Sequence, residues 1–143
     1  MAPIRLRHVE DSQTCAACFD LMRELRPHLA SAQAFHEQVE RQSAQAYRLL
    51  AAWDGEQAVS LAGYRLQENL IYGRFVYIDD LVVAPQARSR GLGRQMIDAV
   101  REQARQLGGA YLILDTGLAN SLAQRFYFRQ GLLSKGLHFS QAL

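Results

Sequence analysis

The chain is poor in the features that most directly give a function away. Its 143 residues carry a formal net charge of only +2, too little for a whole-molecule field that would gather nucleic acid or an anionic membrane. Any anion it binds must be held by a local arrangement. The first ten residues include Arg5, Arg7 and His8 and no continuous apolar run. They read as neither a secretory signal nor a membrane span, and a cytoplasmic location is the expectation. Only two cysteines occur, Cys15 and Cys18, and no second Cys/His pair at ligand spacing completes a metal site around them. They fall instead on one apolar stripe with Phe19, Met22 and Leu25, the pattern of a packed helix face. His8, His28, His36 and His138 also lack metal spacing, so no metal is expected. Repeats, low-complexity tracts and linkers are missing. A single domain over residues 1–143 is therefore expected.

What is present reads as an alternation of elements. Residues 4–8 alternate like a short strand, and Asp11 or Ser12 can cap a helix running to Arg26, ahead of Pro27. A second helix is predicted over residues 32–42. Residues 47–53 and 58–66 are strand-like runs joined by Asp54-Gly55, a hairpin signal. Residues 75–83, rich in β-branched and aromatic side chains, read as a buried central strand. The strongest helix covers residues 92–107, with Leu92, Met96, Val100, Ala104 and Leu107 on one face. Gly108-Gly109 suits its end, and residues 110–114 return as a strand, so strand, helix and strand imply a parallel crossover. Asn120 can cap a last helix that stops near Gly131. The tail, residues 132–143, has weak strand character and is expected to close the sheet.

The most informative stretch lies between the central strand and the strong helix: Arg88, Ser89, Arg90, Gly91, Leu92, Gly93 and Arg94. Gly91 and Gly93 allow close backbone approach, and the helix start offers unpaired N–H groups with a partial positive charge. A phosphate fits there, and three arginines add planar donors. The stretch has no Gly-Lys-Ser or Gly-Lys-Thr and no third glycine at dinucleotide spacing, which sets aside two familiar phosphate loops.

The run from Tyr77 through Asp79, Asp80 and Val83, then Arg88-x-x-Gly-x-Gly93, then Asn120 and Phe126-Tyr127 ahead of Gly131, resembles the GCN5-related N-acetyltransferase (GNAT) superfamily. The likeness covers roughly residues 76–139 and, before them, only the order of elements. It implies an α/β fold of the α+β kind, with a central mixed sheet of about six to seven strands flanked by about four helices. It further implies that two strands splay apart to admit coenzyme A, with acetyl-CoA as cosubstrate. The main chain of Leu81, Val82 and Val83 would pair with pantetheine, and one N–H there would polarise the thioester carbonyl. Residues 88–94 would hold the pyrophosphate, Asn120 would contact the pantetheine arm, and Tyr127 would protonate the departing thiolate.

An ammonium must lose a proton before it can attack a thioester. Asp79 and Asp80 stand in an otherwise apolar strand, where a carboxylate is costly unless paired, solvated or functional. Strand alternation points them to opposite faces, so one is expected to take the proton, Asp79 being preferred, and the other to serve differently. Polyamine acetyltransferases resemble this acidic pair. Asp115 reads as a turn cap, and Gln124 stands where some relatives have a histidine. The expected activity is direct acetyl transfer to a primary amine, small-molecule or peptide. A non-catalytic acyl-CoA sensor is the alternative, and a nucleic-acid contact is disfavoured by the low charge. Glu24, Arg26, His28, Tyr47 and Trp53 are candidates for the acceptor side. A homodimer through the carboxyl-terminal strand is compatible with the pattern.

Overall fold

A computed structural model describes residues 3–143. Contacts divide the chain into two compact units, one through Ile113 and one from Leu114 to Leu143. The first contains β1 (Ile4–His8), α1 (Ser12–Ala17), α2 (Phe19–Leu25), α3 (Ala32–Ser43), β2 (Tyr47–Asp54), β3 (Gln57–Asn69), β4 (Gly73–Val83), a 3-10 turn at Pro85–Ala87, and α4 (Leu92–Gln106). The strand β5 (Tyr111–Leu114) reaches the boundary, and α5 (Ser121–Arg129) belongs to the second unit.

Local chemistry accounts for most of these limits. Asp11 accepts the Thr14 N–H at 2.7 Å and opens α1, as Ser31 accepts that of Ala34 and opens α3. The helix predicted from Asp11 or Ser12 to Arg26 is two helices. At Cys18 the main-chain N–H turns back to Cys15 O at 3.0 Å, a tighter closure than the α pattern, and Cys18 ends one helix and begins the next. This division is why five α-helices appear among the described residues where about four were expected.

The strands form one sheet in the order β1-β2-β3-β4-β5. The first four are antiparallel neighbours. Ala110 N donates to Arg74 O at 2.8 Å, so β5 sets out beside the start of β4 and runs the same way. The sheet is therefore mixed, as expected, but among the described residues it has five strands rather than six or seven. A strand requires a partner ladder, and residues 132–143 form none; Leu133, Leu137 and Phe139 are exposed there.

Residues 58–64 of β3 are all buried, so alternate side chains are covered on both faces of the sheet. The core joins Leu49, Leu61, Tyr64 and Val76 of the sheet to Met96, Ile97 and Val100 of α4. Stripes at helical spacing place α4 on the sheet with its charged residues turned outward. Among the described residues, no helix is long and apolar enough to cross a membrane. In the second unit, α5 ends with Gly131 at φ +90° and with Leu132 N on Tyr127 O at 3.1 Å, a left-handed closure that spares the last carbonyls from going unpaired.

Candidate active site

The pairing of β3 with β4 slips by one residue in the middle. Gly63 lies opposite Asp80, yet the next residue, Tyr64, lies opposite Ile78. Asp79 is thus an extra residue without a partner, a β-bulge. This overturns the expectation that alternation sends the two acids to opposite faces: with the insertion, Asp79 and Asp80 line the same cavity. The cavity, of about 360 Å³, is also lined by Arg26, Gln42, Gln45 and Arg65.

Its charges are held in order. Arg65 grips Asp79 with both prongs of its fork, Nε to Oδ2 at 2.7 Å and Nη2 to Oδ1 at 2.8 Å, and its guanidinium lies 5.8 Å from the Tyr77 ring centroid. Arg26, just past α2, donates from Nε to Asp80 Oδ1 at 2.9 Å and from Nη2 to the Asp79 main-chain O at 2.8 Å. The other oxygen of Asp80 accepts from Tyr47 Oη at 2.8 Å. Burial first, then the Asp80 charge, pushes the Tyr47 phenol well above its ordinary pKa, so Tyr47 stays a donor. Gly63 makes this contact possible. A Cβ built there would run into the Tyr47 hydroxyl and lie 2.8 Å from Asp80 Oδ2.

Beyond the bulge, residues 81–83 pair with residues 60–62 of β3. On the other side, β5 has four residues and starts beside Arg74, so it stops short of them. Within the sheet, every second N–H and C=O of this stretch therefore lacks a strand partner. Leu81, Val82 and Val83 are half-buried.

The turn follows directly. Ser89 and Gly91 both have left-handed backbones, φ +71° and +73°, a conformation that strains any residue except glycine. Gly91 is the N-cap of α4 and supplies no side-chain cap, so the amides of Leu92, Gly93 and Arg94 point out of the helix start without one. Space around Gly91 is open, with nothing within 4 Å of a Cβ placed there. Arg90 lies 3.6 Å from Asp54, Arg94 is 75% exposed and 3.9 Å from Asp98, and Arg88 is exposed. Uncapped amides, an open approach and nearby guanidinium groups suit a pyrophosphate, so these residues fit the coenzyme expected of them.

In the second unit, Asn120 Oδ1 accepts the Ala123 N–H at 3.1 Å. Its cap role occupies the carbonyl oxygen and leaves the amide NH2 to donate elsewhere. Tyr127 is half-buried, its ring 5.4 Å from that of Phe126, and burial raises its pKa above the ordinary value. Gln124 ties down the preceding loop through Gly117 O and Leu118 O. Asp115 pairs with His138 at 2.7 Å rather than serving only as a turn cap.

Of the acceptor-side candidates, Arg26 lines the cavity and Tyr47 is bonded to one of its acids, whereas Glu24, His28 and Trp53 do not line it. Arg65, Gln42, Gln45 and Gly63 were not foreseen. The one signal for Arg65 was a charge in an apolar strand, the same signal that singled out the aspartates. Cys15 and Cys18 are buried, and burial pushes their thiols up to about 11 and about 12, so neither is a ready nucleophile.

The chain is similar to known proteins in sequence and in fold. The family model described as acetyltransferase (GNAT) family matches residues 15–132. The uncharacterized N-acetyltransferase YhdJ of Bacillus subtilis is 28% identical over 127 residues, covering 87% of each chain. The aminoalkylphosphonate N-acetyltransferase of Salmonella typhimurium is 34% identical over 98 residues, 68% of this chain and 62% of that protein. Among solved structures, the aminoglycoside N-acetyltransferase AAC(6')-Iy in complex with CoA superposes with a TM-score of 0.87 at 18% identity, covering 99% of this chain and 96% of the other.

Proposed function

The chain belongs to the acetyltransferase (GNAT) family, and on that premise we propose that it is an acetyl-CoA-dependent N-acetyltransferase that acetylates a small primary amine by direct attack. One observation carries the reading. The stretch of residues 81–83, with an edge that no strand covers, runs from an acid-lined cavity at one end to an uncapped, arginine-rich helix start at the other. We take residues 1–143 as one catalytic domain, because the family match runs through both units.

Acetyl-CoA, when bound, supplies the thioester that donates the acetyl group. Arg88, Ser89, Arg90, Gly91, Leu92, Gly93 and Arg94 hold its pyrophosphate through main-chain amides and guanidinium groups. The main chain of Leu81, Val82 and Val83 lines up the pantetheine arm as an added strand, and one of its N–H groups polarises the thioester carbonyl. Asn120 donates its free amide to the same arm. Asp79 and Asp80 draw the substrate ammonium into the cavity. The lone pairs that Asp79 keeps outside the Arg65 fork accept the proton that must leave before attack. A C–N bond forms as the C–S bond breaks. Tyr127, kept protonated by its raised pKa, donates to the thiolate and is reprotonated from the newly acylated nitrogen. The products are the N-acetyl compound, free thiol and the proton released at the start.

That a relative carries the name aminoalkylphosphonate N-acetyltransferase supports a small amine rather than a peptide as acceptor. The test separates two roles. Tyr127→Phe should lower kcat by about 10²-fold or more while the dissociation constant of coenzyme A stays within about twofold. Gly91→Val, which forces a β-branched residue into φ +73°, should weaken coenzyme binding at least about tenfold. Titration calorimetry and thiol-release kinetics read both, and the reverse pattern rejects these roles. Coenzyme binding without thiol release across a broad panel of amines would leave the sensor reading in its place.

A further inference from the structure

Resting on the transferase reading, we infer that the acceptor is a zwitterion: a small primary amine carrying a carboxylate, phosphonate or phosphate a few bonds from its nitrogen. The cavity is lined by two arginines, two aspartates and two glutamines, and its formal charge is zero, +2 from Arg26 and Arg65 against −2 from Asp79 and Asp80. Two unneutralised acids would suit a dicationic amine. Here each acid already has a guanidinium on it, and a second cation would meet two arginines.

The donors left over define an anion site. Arg65 spends Nε and Nη2 on Asp79, and Arg26 spends Nε and Nη2 on Asp80 and the Asp79 main chain. The Nη1 group of each is left to donate. Gln42 accepts from Gln38 through Oε1 at 2.9 Å, which turns its amide NH2 into the available end, and Gln45 lines the same wall. A carboxylate or phosphonate takes a pair of such guanidinium edges better than water does. The carboxylates keep lone pairs for an ammonium. A ligand bearing both charges enters without leaving an unpaired ion on either side, whereas a plain cation or a plain anion leaves one behind. Size agrees: about 360 Å³ lies at the low end for ligand cavities, and each lining residue carries a polar or charged group.

Four amines of similar length decide the matter in a thiol-release assay with saturating acetyl-CoA: 2-aminoethylphosphonate, β-alanine, 3-aminopropan-1-ol and putrescine. At least one of the first two should exceed both of the others in kcat/KM by about tenfold or more, and the contrast between them tells phosphonate from carboxylate. Arg26→Gln should shift the ratio of kcat/KM for the preferred zwitterion to that for 3-aminopropan-1-ol about tenfold toward the amino alcohol, with Arg26→Lys recovering part of the shift and an unchanged ratio counting against the inference. Preference for putrescine or the amino alcohol overturns the inference while leaving acetyl transfer intact. If none is acetylated, calorimetric titration of the same four onto the coenzyme-bound protein takes over. Selective binding of a zwitterion then upholds the ligand class, the transfer step being decided by the broad amine panel, and absence of selective zwitterion binding overturns this inference alone.

Discussion

Arg26 and Arg65 in the cavity, and Arg88 and Arg94 at the turn, carry the same guanidinium under opposite circumstances. The first two are fastened: each has a carboxylate at 2.7–2.9 Å and a fixed position on or beside the sheet. Arg88 and Arg94 are exposed, and the one ion pair between them is long, 3.9 Å. A fastened guanidinium has lost its rotamer freedom and much of its net charge, so it contributes shape and directed donors. A loose one keeps its full charge for an incoming anion but must be ordered at the moment of binding. On the proposed reading the cavity would discriminate among ligands, and the turn would attract one.

The sharpest way to break this contrast is to fill the space that keeps the fastened set together. Gly63→Val would drive a side chain into Tyr47 and Asp80, and a loss of about 3 kcal/mol in stability is expected, read as a lowered thermal midpoint together with loss of turnover. Next comes Arg65→Gln. It strands Asp79 in a partly covered site, and a loss of roughly 1–2 kcal/mol should appear in urea unfolding; no change in the midpoint would mean that the fork is ornamental. Arg88→Ala, on the loose side, should leave stability within about 0.5 kcal/mol. It should weaken coenzyme A about fivefold and make that affinity less sensitive to salt.

The smallest effect concerns a different fastened pair. His8 Nε2 lies 2.7 Å from Tyr64 Oη, and burial first, then Arg48, lowers the His8 pKa below the ordinary 6.5. The unfolded chain therefore binds this proton more readily than the folded one. The contribution is complete above about pH 6.5 and is lost as acidification carries the solution down through the folded pKa. His8→Gln should flatten that part of a stability profile measured from pH 7 to 5; a steeper slope would sink the assignment.

Much of this was readable in advance wherever local chemistry governs. The stripe Leu92, Met96, Val100 and Ala104 announced α4, and these side chains are buried where the period puts them. Asp54-Gly55 announced the hairpin, with Gly55 at φ +63°, and Asn120 its cap. What could not be read is what the chain does at a distance. Alternation assumes an unbroken strand, and nothing in Tyr77-Ile78-Asp79-Asp80 says that Asp79 is supernumerary. That is settled by which residues of β3 find partners. Arg65, Gln42 and Gln45 are 14 or more positions from the acids, so no spacing rule links them. The tail failed for the converse reason, since strand propensity without a ladder makes no strand.

The bulge has one more implication. A strand is a two-valued object, in which each position belongs to one side of the sheet by odd or even count, and an added residue reverses that count for everything beyond it. Deleting Asp79 alone would bring Ile78, opposite Tyr64, next to Asp80, opposite Gly63, so a plain ladder would form in which every other residue keeps its partner and its side. What such a deletion would take away is the second carboxylate on the cavity wall, together with the carboxylate that holds the Arg65 fork. The bulge thus seats an extra acid at the cavity without disturbing which side chains enter the core.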